Sequence, residues 1–460
     1  ALVGLGSALL GLERPEDARA RLEEALERCP PRRRNIEAAA RSNFGRALQT
    51  LDDPRGALVM LERALSLHVE LKDAVAGSED LVDLAHVHLA LGDHESARAA
   101  LDDAIAISQK IERREAEAAA RELAASAYPD DAPERAAQLE RAAALYEALG
   151  RREEAASARA SLAQSYLSQG KYERARALLE GLLAALEPGA RHQRLRAWAH
   201  DGLLAVCIAR ERLDGGYEHA RLAARGYEAL DDHVDQIRLL RWLGYYHHDR
   251  GEHDDATRHY RRALELLARH PSPRDELLAR SGLANNLAAA EDYEAARPLF
   301  ARALELAREV GDEDDQLACA VGTAACHNAR EEFAAALTVL ERAGELGRAT
   351  DGSDGEQRYR AELGRTYRDL DRLDEATRAL RRALALVDGD ERPEEELDCC
   401  LALASLYYQQ GDHATAIKFF ERSLLLADAA DIDLSDAFWD EEFELLRELA
   451  PRSRALRLRR

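Results

Sequence analysis

Lysine is nearly missing from this chain of 460 residues: only Lys72, Lys110, Lys171 and Lys418 among its 64 cationic residues are not arginine. Such a bias reads as GC-rich coding before it reads as binding. Cysteine is sparse as well. The six thiols (Cys29, Cys207, Cys319, Cys326, Cys399 and Cys400) show no CxxC spacing and no disulfide framework, which points to a reducing cytoplasm. Aromatic residues make up 5%, while Ala, Leu, Arg and Glu dominate, so an all-β or collagen-like chain is excluded and helix is favoured. No stretch approaches the roughly 18 consecutive apolar residues of a membrane helix. The N-terminus lacks a basic region ahead of its short apolar run, so neither anchoring nor secretion is expected. The only methionine is Met60, and the chain opens inside what reads as the first helix of a repeat. A piece of a longer protein is the expectation.

What is present is acid and apolar surface. Asp and Glu number 87 against 64 Lys and Arg, for a formal charge of −23, which argues against nucleic-acid binding and makes cationic partners easier to accommodate. Adaptation to salt would also account for the acidity. Hydrophobic residues reach 46%, enough for a continuous core.

That core is written as a repeat. RWLGYYHHDRGEHDDATRHYRRAL at 241–264, SGLANNLAAAEDYEAARPLFARAL at 281–304 and LALASLYYQQGDHATAIKFFERSL at 401–424 align without gaps. The small residue of each copy serves as marker: Gly6, Gly45, Ala85, Ala124, Ala163, a blurred one near Leu204, Gly244, Ala284, Ala324, Gly364 and Ala404. These recur at about 40 residues, the mark of a stacked-repeat architecture. Apolar positions at i, i+3, i+4 and i+7 on two segments parted by a Gly/Asp/Glu turn make each unit a helical hairpin. One hairpin cannot bury its apolar face alone, and stacking does so.

The series Leu243-Gly244, His247, Gly251, His253, Ala256, Tyr260 and Ala263 resembles the tetratricopeptide repeat (TPR) in its longer variant, similar to the repeats of kinesin light chains and bacterial TPR regulators. The resemblance implies an all-α fold: an α-solenoid, or right-handed superhelix, of about eleven TPR hairpins. Residues 1–230 read as N-terminal repeats, with variant copies at 124–146 and 204–227, and 231–427 as the more regular C-terminal repeats. A bend or boundary is expected near 128–134 or 210–217. Residues 428–450, with Phe438, Trp439, Phe443 and Leu446 on one side, read as a capping helix, and 451–460 as a basic tail.

No catalytic constellation stands out. A P-loop, a GxGxxG turn, a GxSxG elbow and an HExxH helix are all missing, so the chain is expected to be no enzyme and to carry no cofactor. Four histidines crowd residues 245–262, and a metal would need three groups to converge at about 2 Å from one ion. His247 and His253 occupy slots that Tyr367, Tyr407, Tyr172 and Tyr293 fill in other copies, so packing accounts for two of the four and no metal site is assigned.

The family likeness assigns ligand contact to first-helix positions around each marker. In the C-terminal half these hold Arg238, Arg241, Tyr245, His248, Asn285, Asn328, Arg358, Arg365, Arg368 and Tyr408, alongside Asp398 and Ser405. Arginine forks bind carboxylates and asparagine pairs with peptide groups, so the expected partner is a protein or peptide, acidic or carboxylate-bearing. The pattern is not that of the carboxylate clamp of chaperone-binding repeats, because Tyr245 stands where that clamp has asparagine. The same slots of the N-terminal half (Ser42, Arg46, Gln49, Val82, His86, Leu89) are less charged, as expected of a second contact surface or a dock for a preceding segment. The expected function is a non-catalytic protein-interaction scaffold or sensor. The alternative is a regulatory arm of a larger signalling enzyme, a kinase, a STAND ATPase or a caspase-like protease, whose catalytic domain lies outside this chain.

Overall fold

The computed structural model describes residues 1–187, 189–210, 212–344, 354–387 and 392–430. Among them are 22 α-helices and no strand, arranged as eleven consecutive hairpins. The chain divides into two compact units at Leu230/Asp231, past both variant turns.

The first unit holds six hairpins: α1 and α2 (Leu2–Gly11, Pro15–Glu27), α3 and α4 (Arg34–Thr50, Pro54–Leu71), α5 and α6 (Ala74–Ala90, His94–Lys110), α7 and α8 (Arg114–Ala125, Pro133–Ala148), α9 and α10 (Arg152–Ser168, Tyr172–Ala185), and α11 and α12 (Gln193–Ile208, Leu213–Glu228). The second holds five: α13 and α14 (His233–Asp249, His253–Leu267), α15 and α16 (Pro273–Ala289, Tyr293–Val310), α17 and α18 (Glu313–Asn328, Phe333–Ala343), α19 and α20 (Asp354–Asp369, Leu373–Leu386), and α21 and α22 (Pro393–Gln409, His413–Ala430). Residues 428–430 complete α22, while 431–450 of the expected cap and the tail 451–460 lie outside the described residues.

Local chemistry starts these helices. Asp53, Asp73, Asp93, Asp292 and Asp312 each accept a hydrogen bond from the backbone N–H three residues on, filling an orphan donor of the first turn. Proline opens α2, α4, α8, α15 and α21, where its missing N–H costs nothing. Hairpin turns are made by a left-handed residue seven places after the marker. It is glycine at Gly92, Gly170, Gly251 and Gly411, but Glu13, Asp52, Glu291, Glu331 and Asp371 in the other regular turns.

One packing rule runs through both units. Sixteen residues after the marker stands the large residue of the second helix: Leu22, Leu61, Leu101, Leu179, Tyr260, Phe300, Leu340, Leu380 and Phe420, all buried. The marker is small because that side chain lies against it; a Cβ on Gly45 would stand 2.5 Å from Leu61 Cγ, and one on Gly364 the same distance from Leu380 Cγ. The two variant hairpins break the rule for visible reasons. Helix α7 stops at Ala125, and Leu139 rather than Glu140 is buried. In the other, the lengthened turn is absorbed into α12, and the sizes exchange: buried Leu204 stands at the marker and buried Ala220 in the large slot.

Candidate functional site

Consecutive first helices also touch directly, as α13 does α15 and α17 does α19. Their facing side chains form polar rungs. Arg241 on α13 reaches Asp275 on α15 at 2.5 Å, and Arg274 on α15 meets Asp312 and Asp315 of the next hairpin, each at 2.6 Å. Arg365 on α19 reaches Asp398 on α21 at 3.1 Å. Asn328 on α17 donates through Nδ2 to Glu362 Oε1 (2.7 Å) and Thr366 Oγ1 (2.8 Å) on α19, leaving its buried Oδ1 without a partner. In the first unit, Arg46 on α3 pairs with Asp83 on α5 at 2.6 Å, and Gln49 donates to the Asp83 carbonyl. Burial lowers the Arg241 pKa, opposed by the charge of Asp275. These arginines and Asn328 are thus committed to neighbouring repeats.

Other expected contact residues lie elsewhere. Arg238 pairs with Asp235 and Arg368 with Asp369, each on its own helix. The Tyr408 ring packs 5.1 Å from that of His413 in the same hairpin. Nδ1 of His248 lies 3.2 Å from Oδ1 of Asn286, which also faces His253 Nδ1, while Asn286 Nδ2 donates to the His253 carbonyl and Thr257 Oγ1. Asn286 is fully buried, whereas its neighbour Asn285, the expected contact residue, is exposed. Tyr245 is 50% exposed.

Two of the expected residues do converge. Asn285 and Arg358 border one cavity of about 750 Å³ along α15, α17 and α19, the first helices of three successive hairpins. Its floor is small and apolar, with Ala318, Val321, Gly322 and Ala325 of α17 and the Phe300 ring beneath; Asp314 and Asp315 stand on its rim. No polar side chain marks this floor in the sequence, because on α17 the groove slots hold small residues that leave room. Arg358 is largely solvated, and its tie to Glu395 is 3.3 Å long.

A second device recurs at five of the described turns, where a residue three after the marker meets one eight after it. His247 Nδ1 lies 2.6 Å from Glu252, His327 Nδ1 2.7 Å from Glu332, and His88 Nδ1 3.4 Å from Asp93. Where the first residue is tyrosine in Tyr166 and Tyr367, the second is a cation over its ring, Lys171 at 5.7 Å and Arg372 at 4.5 Å. The histidine bond holds the Glu252 and Glu332 carboxyls below their ordinary pKa.

Four of the thiols are buried and held protonated. Burial pushes Cys319 and Cys400 up to about 12 and Cys326 and Cys399 to about 11. Among the described residues, no helix is long and apolar enough to cross a membrane.

Tetratricopeptide repeat family models match residues 275–349 and 358–429, and a second such model residues 38–71, 81–112 and 155–187. No curated protein sequence matches the chain significantly. Among solved structures, the apo form of RapI is similar over 69% of this chain and 93% of its own, at 14% identity and a TM-score of 0.52. BtubC (BKLC) from P. vanneervenii is 22% identical over 48% of this chain and 92% of its own, with a TM-score of 0.41. Yeast Tom70 is 17% identical over 99% and 95% respectively, with a TM-score of 0.39. With its hairpin succession, its small-to-large packing rule and these matches over just over half its length, the chain belongs to the tetratricopeptide repeat family, and its fold is an all-α solenoid.

Proposed function

We propose that this chain is a non-catalytic protein-interaction scaffold that takes an extended peptide along the first helices of its second unit, at the cavity between α15, α17 and α19. The observation that carries this reading is the cavity itself: about 750 Å³ opening on three successive first helices, with an apolar floor and polar groups at its edge. A binding pocket commonly has that composition, apolar lining for affinity and a few polar groups for orientation. Ala318, Val321 and Ala325 suit one or two apolar side chains of the peptide. The Asn285 amide suits a peptide group, and Arg358, weakly tied and mostly in water, turns to a carboxylate at little cost. The rung arginines define the groove walls rather than the ligand contacts.

The test is to fill the cavity. Ala325→Trp places an indole on its floor, while Ala334→Trp, on the exposed face of α18, is the matched control. Partners that co-purify with the wild type are expected to be lost from Ala325→Trp and kept by Ala334→Trp. Retention by Ala325→Trp of everything the wild type holds would refute the assignment.

A further inference from the structure

Among the described residues, three hairpin turns carry the histidine-to-acid contact, and only one brings a third ligand-bearing side chain to it. In the α13–α14 hairpin, His247, Glu252 and Asp255 each offer a donor atom, and these lie within 4.8 Å of one another. The positions equivalent to Asp255 are Ser96 beside His88 and Asp93, and Ala335 beside His327 and Glu332. His247 is 7% exposed, so its imidazole is fixed by the core, while Glu252 and Asp255 sit at the solvent edge where an ion enters.

We propose that His247, Glu252 and Asp255 form a binding site for one zinc-class divalent ion, with water completing its coordination. One imidazole and two carboxylates suit zinc, and bonds of about 2.0–2.2 Å set donor separations near 3.4 Å in a tetrahedral site. The 2.6 Å contact between His247 and Glu252 then opens slightly, and the widest pair, within 4.8 Å, closes by at most about 1.4 Å, which is within side-chain motion. The ion replaces Arg258 at Asp255 and Arg250 at Glu252, both ion pairs made within or beside the turn. The His259 ring, stacked on His247 at 5.2 Å between centroids and nearly parallel, holds the imidazole plane in place. It is a positioning residue, since its donor atoms are not among those that converge. The equivalent slots of the last hairpin stack Tyr407 on Phe419 at 5.7 Å, so this support belongs to the fold and the ligand set is what is particular here. Calcium and magnesium, which favour all-oxygen shells, are poor occupants.

The full chain, stripped with chelator, is titrated with zinc by calorimetry and its cobalt(II) spectrum recorded. The expectation is one ion per chain with tetrahedral-type cobalt bands. Asp255→Ala, which installs the residue of the α17–α18 hairpin, weakens zinc at least about tenfold, and the near-isosteric Asp255→Asn does the same with an unchanged helical spectrum. Glu332→Gln, in the two-donor hairpin, leaves binding unchanged. No zinc uptake by the wild type, uptake unaltered by both Asp255 substitutions, or loss caused by Glu332→Gln overturns the proposal.

Discussion

The ring of Tyr260 lies so close to Gly282 of the next hairpin that a methyl group on that glycine would stand 2.6 Å from a ring carbon. The same ring meets Gly244, the marker of its own hairpin, where the distance would be 2.9 Å. Gly322 receives Phe300 in the same way at 2.4 Å. Where the large residue is Leu380, the receiving position is Ala402. Aromatic filling and a bare backbone opposite therefore go together. Gly282→Ala is expected to destabilise by about 1–3 kcal/mol, the usual range for overpacking. Tyr260→Leu in the same chain should return part of that loss. Urea midpoints of the two single variants and the double variant check it, and simple additivity would refute the coupling.

Glu331 holds φ at 60° in a turn where four other hairpins use glycine. A residue with a Cβ pays roughly 1 kcal/mol for that conformation. Glu331→Gly should accordingly raise the melting temperature, and Gly251→Ala, at φ 71°, should lower it. Thermal unfolding of both variants reads the two signs.

Arg241 and Arg358 occupy equivalent stretches of first helix but carry different loads. The half-buried Arg241 holds Asp275 at 2.5 Å, whereas Arg358 is 68% exposed. Arg241→Ala should cost about 1 kcal/mol of stability, and Arg358→Ala less than about 0.5. If partner binding is measured on the same proteins, Arg358→Ala should weaken it without moving the melting temperature.

Acid should act through two partly buried histidines, His259 on α14 and His200 on α11. Burial, and then the charge of His247, keeps His259 neutral down to about 4, and burial, then His219, does the same for His200. An ordinary imidazole titrates near 6.5. Between pH 6.5 and 4 the unfolded chain therefore binds protons that the folded chain refuses, and stability falls as pH drops through that window. His259→Phe, matching Phe419 in the last hairpin, should flatten the fall of melting temperature across it. An unchanged slope would exclude His259 as a contributor.

The turn contacts should be exchangeable as pairs. Tyr367→His sets an imidazole beside Arg372, and Arg372→Glu sets a carboxylate beside Tyr367; each alone removes a matched contact. Together they recreate the His327 and Glu332 arrangement. The double variant should melt higher than the sum of the two single shifts predicts, as a double-mutant cycle shows.

Repetition made the fold legible: a marker every 40 residues, and a large side chain sixteen places on, follow from one hairpin needing the next. The arginines of the groove slots were legible as positions and not as roles. Asp275 and Asp398, lying 34 and 33 residues further along, decide that Arg241 and Arg365 bind their own chain, and no local pattern records a partner at that distance. The cavity was hidden for a related reason. Ala318, Val321 and Ala325 read as ordinary helix, and line a cavity with Phe300, whose ring lies against Gly322.

Four buried thiols sit in pairs on α17 and α21. Held protonated and out of solvent, they react with an alkylating reagent only after their hairpin opens. The chain thus carries its own clock for breathing. The rates at which Cys319 and Cys326, and then Cys399 and Cys400, become labelled rank the local opening of two places in the solenoid, one of them at the floor of the proposed binding cavity, and a ligand seated there slows the first pair alone.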